Sequence, residues 1–312
     1  MYKTCIIGAG SIGALKSDSK DRKDRRARPL THAHACWSHP KIKLDCIVDI
    51  KKERAEAAAN KWDCSWSTTI PNGADIYIVS VPTEYHLETV EEIVQLNDPI
   101  KLIILEKSAG NTEEQASIIK ELSLAYDIPI LVDYSRRFEV AHQGVYDRLQ
   151  DPEVEIYNCR VIYSRGLKHE GCHAIDLCNW WFGKGKWLYF NERWADRDAE
   201  DQTADIFLKY EEIPVFFNGV NGRKAYTFEI DVFTSIGRFQ FIHYGTQLLY
   251  YPIVNEGKYG DYPQLGTPQK RYPQMGWNLH YLIDNAIRFI EGKEELGCTI
   301  DDALNVHKIL EE

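Results

Sequence analysis

Short apolar runs alternate with amphipathic stretches through the first half of the chain. Residues 4–8, 44–49, 75–81, 101–105 and 128–133 read as strands, and residues 32–38, 52–61, 87–96 and 112–126 as helices. Brief buried strands separated by helices predict βαβ units and a parallel sheet. The pattern changes after Asp151-Pro152. Residues 155–163, 203–210, 215–220, 227–243 and 247–253 are β-rich and have no helices between them, which predicts a mostly antiparallel sheet. A helix is expected at 172–182, and two more close the chain at 278–291 and 301–311. The predicted fold class is therefore an α/β Rossmann domain with a doubly wound parallel sheet, residues 1–135, followed by an α+β domain, residues 136–312. The second domain carries a large, mostly antiparallel open sheet, and its C-terminal helices pack back on the first. The aromatic stretch 187–194 is expected to cover the sheet face and to mark a homo-oligomer interface, in a dimer or tetramer.

Composition narrows the partners. The 312 residues are 44% hydrophobic and 27% charged, with a net charge of -10. That balance suits a globular small-molecule protein and argues against a nucleic-acid partner or a charge-held membrane contact. Eight scattered cysteines include no C-x-x-C pair, so they read as reduced and the expected location is cytoplasmic. The chain enters a strand at Lys3 without a basic leader, and no apolar stretch is long enough to span a bilayer. Residues 16–29, KSDSKDRKDRRARP, read either as a solvated loop or as arginines that fold over a cofactor or an anionic substrate.

The strongest chemical signal follows the first strand. Gly8-Ala9-Gly10-Ser11-Ile12-Gly13 fits G-x-G-x-x-G. The three glycines serve the tight turn, the backbone approach to a pyrophosphate, and close helix–strand packing, and the N–H groups around Ser11 and Ile12 cradle the diphosphate. Asp49 ends the second strand and supplies the carboxylate for the adenosine ribose, favouring NAD, while Lys51 and Lys52 keep NADP open.

Other segments resemble the Gfo/Idh/MocA (glucose–fructose oxidoreductase / inositol dehydrogenase) family over nearly the whole chain. Val81-Pro82-Thr83-Glu84-Tyr85-His86 is similar to its T-P-x-x-x-H segment, and Glu106-Lys107-Ser108 to its E-K-P motif with serine for proline. Ser135-Arg136-Arg137-Phe138 resembles its R-R-F segment, and Gly171-Cys172-His173 with Asp176 and Trp180 its G-x-H-x-x-D-x-x-x-W helix start. The resemblance implies hydride exchange between NAD(P) and a sugar, cyclitol or nucleotide-sugar hydroxyl or carbonyl. It implies cofactor contacts from Pro82, His86, Glu106 and Lys107, an alkoxide-stabilising Lys107, and His173 as general acid/base. Arg137, Arg165 and His169 join Lys107 and His173 as candidate substrate contacts. The family's aspartate two residues before the G-x-H glycine is His169 here, so either His169 shares the acid/base role, Glu170 compensates, or activity is altered or lost.

His169-Glu170-Gly171-Cys172-His173 also matches H-E-x-x-H, the zinc-hydrolase signature. No third ligand stands at a typical spacing and Gly171 opposes a continuous helix, so no metal is expected. A nucleotide-binding sensor or scaffold without turnover is the alternative to the enzyme. His32 and His34 read as packing or solvent-facing, and His243 and Tyr244 as possible pocket residues.

Overall fold

The architecture comes from a computed structural model that describes residues 1–16, 23–96, 98–255, 262–271 and 276–311. The chain forms two compact units, Met1–Phe138 with Gly276–His307, and Glu139–Met275 with Lys308–Glu312.

The first unit is a six-stranded parallel sheet. Its strands are β1 (Tyr2–Ile7), β2 (Ile42–Val48), β3 (Ser65–Ser67), β4 (Ile76–Val79), β5 (Leu102–Glu106) and β6 (Ile130–Asp133), in the order β3-β2-β1-β4-β5-β6. Ile6, Ile47, Ile78 and Ile104 are fully buried. Such strands are apolar on both faces because helices cover both sides of a parallel sheet. The connecting helices are α1 (His32–Ser38), α2 (Lys52–Trp62), α3 (His86–Val94) and α4 (Glu113–Ala125).

The basic segment interrupts the helix after the glycine turn. Ala14 N–H donates to Gly10 O at 3.0 Å, the first helical bond. His32 N–H then donates to Ile12 O and Ala33 N–H to Gly13 O, both at 2.9 Å, so α1 resumes where that turn stopped. Thr31 caps it by accepting from His34 N at 3.1 Å. Among the described residues of the insertion, Asp24 O lies 2.9 Å from His34 Nε2, the Arg25 guanidinium lies 4.8 Å from the Trp37 ring centre, and Lys23 pairs with Asp63. This part rests on the α1–α2 side. The expectation that its arginines cover a ligand also falls on residues 17–22, outside the described residues.

The second unit holds α5 (Val140–Leu149), β7 (Ile156–Tyr163), α6 (Cys172–Phe182), β8 (Gly185–Asp198), β9 (Asp201–Tyr210), β10 (Ile213–Gly219), β11 (Phe228–Thr234), β12 (Gly237–Ile242), β13 (Gln247–Val254), β14 (Gln264–Leu265) and β15 (Gln269–Arg271). They form a nine-stranded sheet in the order β14-β13-β12-β11-β7-β10-β9-β8, with β15 beside β13. Among the described residues of this sheet, only β7 and β10 pair in parallel. On β11 buried and half-buried positions alternate, as a sheet with one covered face requires. The α5 residue His142 stacks on Phe241 of β12 at 4.2 Å and on Trp181 of α6 at 6.2 Å. Helices α7 (Asn278–Ile290) and α8 (Ile300–Glu311) end the chain.

Two expectations need correction. The run 227–243 is a hairpin of two strands, β11 and β12, because the chain reverses between Thr234 and Gly237 and the Thr234 hydroxyl bonds Gly237 O at 2.9 Å. The aromatic stretch 187–194 is not a cover but part of β8, the longest strand, paired with β9. Among the described residues no helix is long and apolar enough to cross a membrane.

Candidate functional site

In the first unit, the C-terminal ends of the strands carry the predicted cofactor residues. Gly8 has φ +100°, and a β-carbon there would lie 2.6 Å from Ser80 O. At Gly13 a β-carbon would overlap the Gly8 carbonyl oxygen. Both glycines are thus dictated by protein atoms. Gly10 differs, since a β-carbon there would meet nothing within 4 Å among the described residues. A turn pinned at both ends and open in the middle fits the close approach of a pyrophosphate. Ser80, at the end of β4, donates to Gly8 O at 2.9 Å or Ile7 O at 3.1 Å and fixes the turn from below. Asp49 is 7% exposed and accepts from Ala9 N at 3.1 Å and Lys51 N at 2.9 Å. Arg54 Nη1 stands 3.6 Å from the same carboxylate. Ser11 is exposed and Ile12 half-buried.

Pro82 is exposed and precedes a single 3-10 turn, Thr83–Tyr85. His86 is fully buried, with Nδ1 2.7 Å from Ser108 O and Nε2 3.0 Å from Val81 O. It braces the loop after β4 against the loop after β5, and burial holds its pKa below the usual imidazole value despite both carbonyls. The peptide joining Lys107 to Ser108 is cis.

Glu106 and Asp133 end neighbouring parallel strands as register partners. His32 Nε2 lies 2.8 Å from Glu106 Oε1 and 3.6 Å from Asp133 Oδ2. Burial pushes Glu106 up, but the hydrogen bond and charge of His32, with the charges of Lys107 and His86, outweigh it and hold the carboxyl below the usual range. Asp133 goes the other way. Burial, repulsion from Glu106 and hydrogen bonding to Glu106 hold it well above the usual range. Ligand atoms of His32, Glu106 and Asp133 lie within 4.8 Å of one another, the one grouping with metal-ligand spacing among the described residues. His32 was expected to be a packing or solvent-facing residue; its burial was legible and its polar role was not. Asp133, at the end of an apolar strand, carried a usable signal.

In the second unit, Leu167–Gly171 forms a π-helical turn that runs into α6 at Cys172. The segment is therefore helical through Gly171, against the expectation from its glycine. Asp201 of β9 holds the turn by accepting from Lys168 N at 2.7 Å and His169 N at 2.9 Å. A carboxylate thus does reach position 169, through its backbone. Glu170 accepts from Tyr226 Oη at 2.6 Å, and its Oε1 is 3.8 Å from His169 Nε2. Arg165, at φ +69°, places its guanidinium 5.7 Å from the Tyr226 ring, which stacks on Tyr244 at 4.5 Å. His173 is half-buried on the first turn of α6. His169 and His173 gather no third ligand among the described residues. A cleft of about 510 Å³ beside this turn is lined by Leu167, Lys168, Trp187, Tyr189, Asp201 and Glu311, among others. Arg137, in the first unit, is 3% exposed and pairs with Asp302 at 3.1 Å.

A Rossmann sheet with an intact glycine turn, joined in one chain to a large, mostly antiparallel sheet, defines a fold class shared by dinucleotide-linked oxidoreductases, and it is the fold that the family resemblance implies. No family model and no curated protein matches the sequence. Among solved structures, an oxidoreductase of Desulfitobacterium hafniense superposes with a TM-score of 0.79 at 14% identity, covering 99% of this chain and 93% of that one. The WlbA dehydrogenase of Bordetella pertussis, in complex with NADH and UDP-GlcNAcA, gives 0.77 at 15% identity, covering 99% and 93%. An oxidoreductase of Agrobacterium radiobacter, in complex with NAD+, L-tartaric acid and magnesium, gives 0.76 at 15% identity, covering 99% and 94%.

Proposed function

We propose that this chain is an NAD(H)-dependent oxidoreductase acting on the hydroxyl or carbonyl of a sugar, cyclitol or nucleotide-linked sugar. The observation that carries the reading is the open space at Gly10 between two glycines locked by protein atoms, beside the Asp49 carboxylate. Amide hydrogens of the turn hold the diphosphate, and Asp49 accepts from the ribose hydroxyls and disfavours a 2′-phosphate. A bound nicotinamide supplies the hydride or takes it up. Lys107 follows β5, at the strand end where the ligand crevice of such sheets lies, and stabilises negative charge on the reacting oxygen. His86 fixes the carbonyl of the next residue, Ser108. His173 takes or returns the hydroxyl proton. Arg165 and His169, with Tyr226 beside them, are candidates for substrate contact in the second unit, and Arg137 with its Asp302 partner in the first. UDP-GlcNAcA and tartrate in the two neighbours above, both polyhydroxylated acids, support this substrate class.

The expected homo-oligomer is a second copy of this chain on the open sheet face, supported by the exposed side chains Tyr189 and Phe216, both in register with Phe207. A sensor without turnover is the second reading, and it draws on His169 at the position where the family carries aspartate. NADH and NADPH fluorescence titrations, followed by a turnover screen with sugars, cyclitols and nucleotide sugars, decide between them. Saturable NADH binding with turnover is expected. Binding without turnover on any of them favours the sensor, and no binding of either dinucleotide ends both readings.

A further inference from the structure

Three side chains from separate parts of the chain converge at the C-terminal ends of β5 and β6. His32 opens the helix that resumes after the inserted segment, Glu106 closes β5, and Asp133 closes β6 as its register partner. One donor atom of each lies within 4.8 Å of the other two. The side chains are 0%, 14% and 3% exposed. The His32–Glu106 contact at 2.8 Å does not extend to Asp133, whose Oδ2 stands 3.6 Å from the imidazole, too long for a hydrogen bond. Hydrogen bonding between the two acids still leaves Asp133 Oδ1 buried without a partner. Buried carboxylates are ordinarily paired or bound to a metal.

Zinc binds imidazole nitrogen and carboxylate oxygen at about 2.0–2.2 Å, so two donors on a tetrahedral ion stand about 3.3 Å apart. The separations of 2.8 and 3.6 Å bracket that value. The geometry points to a buried divalent-metal site formed by His32, Glu106 and Asp133, which takes Zn²⁺ and clips the restart of α1 to the ends of β5 and β6. One imidazole and two carboxylates suit zinc, and Asp133 Oδ1 supplies a fourth donor when that carboxylate binds through both oxygens. His32 N–H is bonded to Ile12 O at 2.9 Å, so the ion also braces the glycine turn. The site needs neither turnover nor a dinucleotide, and it is separate from the His169–His173 pair. Lys107 is the rival cation, since its charge acts on both acids.

The test is zinc analysis of the full-length protein purified without a polyhistidine tag or chelator. EDTA-treated protein is then titrated with Zn²⁺ against a chromophoric chelator. One Zn²⁺ per chain is expected, and Zn²⁺ should raise the melting temperature. Asp133→Asn and His32→Gln should each weaken Zn²⁺ binding by at least about a hundredfold and abolish that rise. Lys107→Met should bind at least as tightly as the wild type, and His169→Ala should bind equally well. Absence of zinc uptake by the wild type, unchanged binding in folded Asp133→Asn, or loss of binding in His169→Ala would each overturn the inference. If neither ligand variant folds, Co²⁺ spectra of the wild type and His169→Ala decide. Matching spectra without thiolate charge transfer support the site, and a thiolate band places the ion on the cysteines and ends the proposal.

Discussion

The Asp49 carboxylate accepts a hydrogen bond from the Ala9 amide at 3.1 Å, which ties the acid at the end of β2 to the glycine turn. On the proposed reading this acid meets the ribose of the dinucleotide, and Arg54 stands 3.6 Å from it and is 45% exposed. Asp49→Ser should lower NADH affinity about tenfold, the loss of roughly one charged hydrogen bond. NADPH affinity should rise relative to NADH, because the repelling charge is gone and Arg54 is released toward a 2′-phosphate. Parallel fluorescence titrations check both, and an unchanged ratio would separate Asp49 from cofactor choice.

Gly10 and Gly13 should respond oppositely to the same methyl group. A β-carbon at Gly13 runs into the Gly8 carbonyl, so Gly13→Ala should lower stability by about 2 kcal/mol or more. Gly10→Ala meets nothing among the described residues and should leave stability within about 0.5 kcal/mol, while NADH binding falls at least tenfold. Denaturation curves beside titrations distinguish the two. A Gly10→Ala protein that binds NADH normally would remove the main support for the dinucleotide site.

The geometry of the glycine turn and the place of Asp49 beside it were legible because these residues are contiguous or close an apolar run. The parallel sheet was legible for the same reason, since its buried strands are short and uniform. The continuity of α1 was not, because Ile12 O and His32 N are joined across an inserted segment whose length hides the helical spacing. Strand β8 escaped because its aromatic residues fall on both sides and its pairing slips after Trp187 and again after Glu192, which breaks the two-residue period. Glu106 and Asp133 were visible singly as acids closing apolar strands. Their pairing needs the strand order, which places β5 beside β6, and His32 joins them only once α1 is rebuilt across the insertion.

His86 predicts a pH dependence. Its folded pKa lies below its ordinary value of 6.5, so in the window beneath 6.5 the unfolded chain binds a proton that the folded chain refuses. Its contribution to stability is full above about pH 6.5 and is lost as pH falls through that window. His86→Asn, which cannot titrate but can still donate to one carbonyl, should flatten the stability profile between about pH 6.5 and 5. Melting curves across this range check it, and identical slopes in both proteins would show that His86 is not the titrating group.

Lys107→Met makes the sharpest cut between binding and chemistry. The methionine side chain keeps much of the lysine's length and apolar stem but carries no charge. If Lys107 acts on the reacting oxygen, the loss should appear almost wholly in turnover. Removing a preorganised donor of this kind lowers kcat by about a hundredfold or more, and a cation that also relays a proton should cost more. NADH affinity should change by less than about threefold, since the proposed reading assigns the diphosphate and ribose to the glycine turn and Asp49. Glu106 meanwhile loses a positive neighbour but keeps the His32 contact at 2.8 Å, so the fold around it should survive. Stopped-flow hydride transfer under single-turnover conditions, beside NADH titration, separates the outcomes. Loss of both binding and turnover would make Lys107 a cofactor anchor, and retention of both would move the catalytic centre elsewhere.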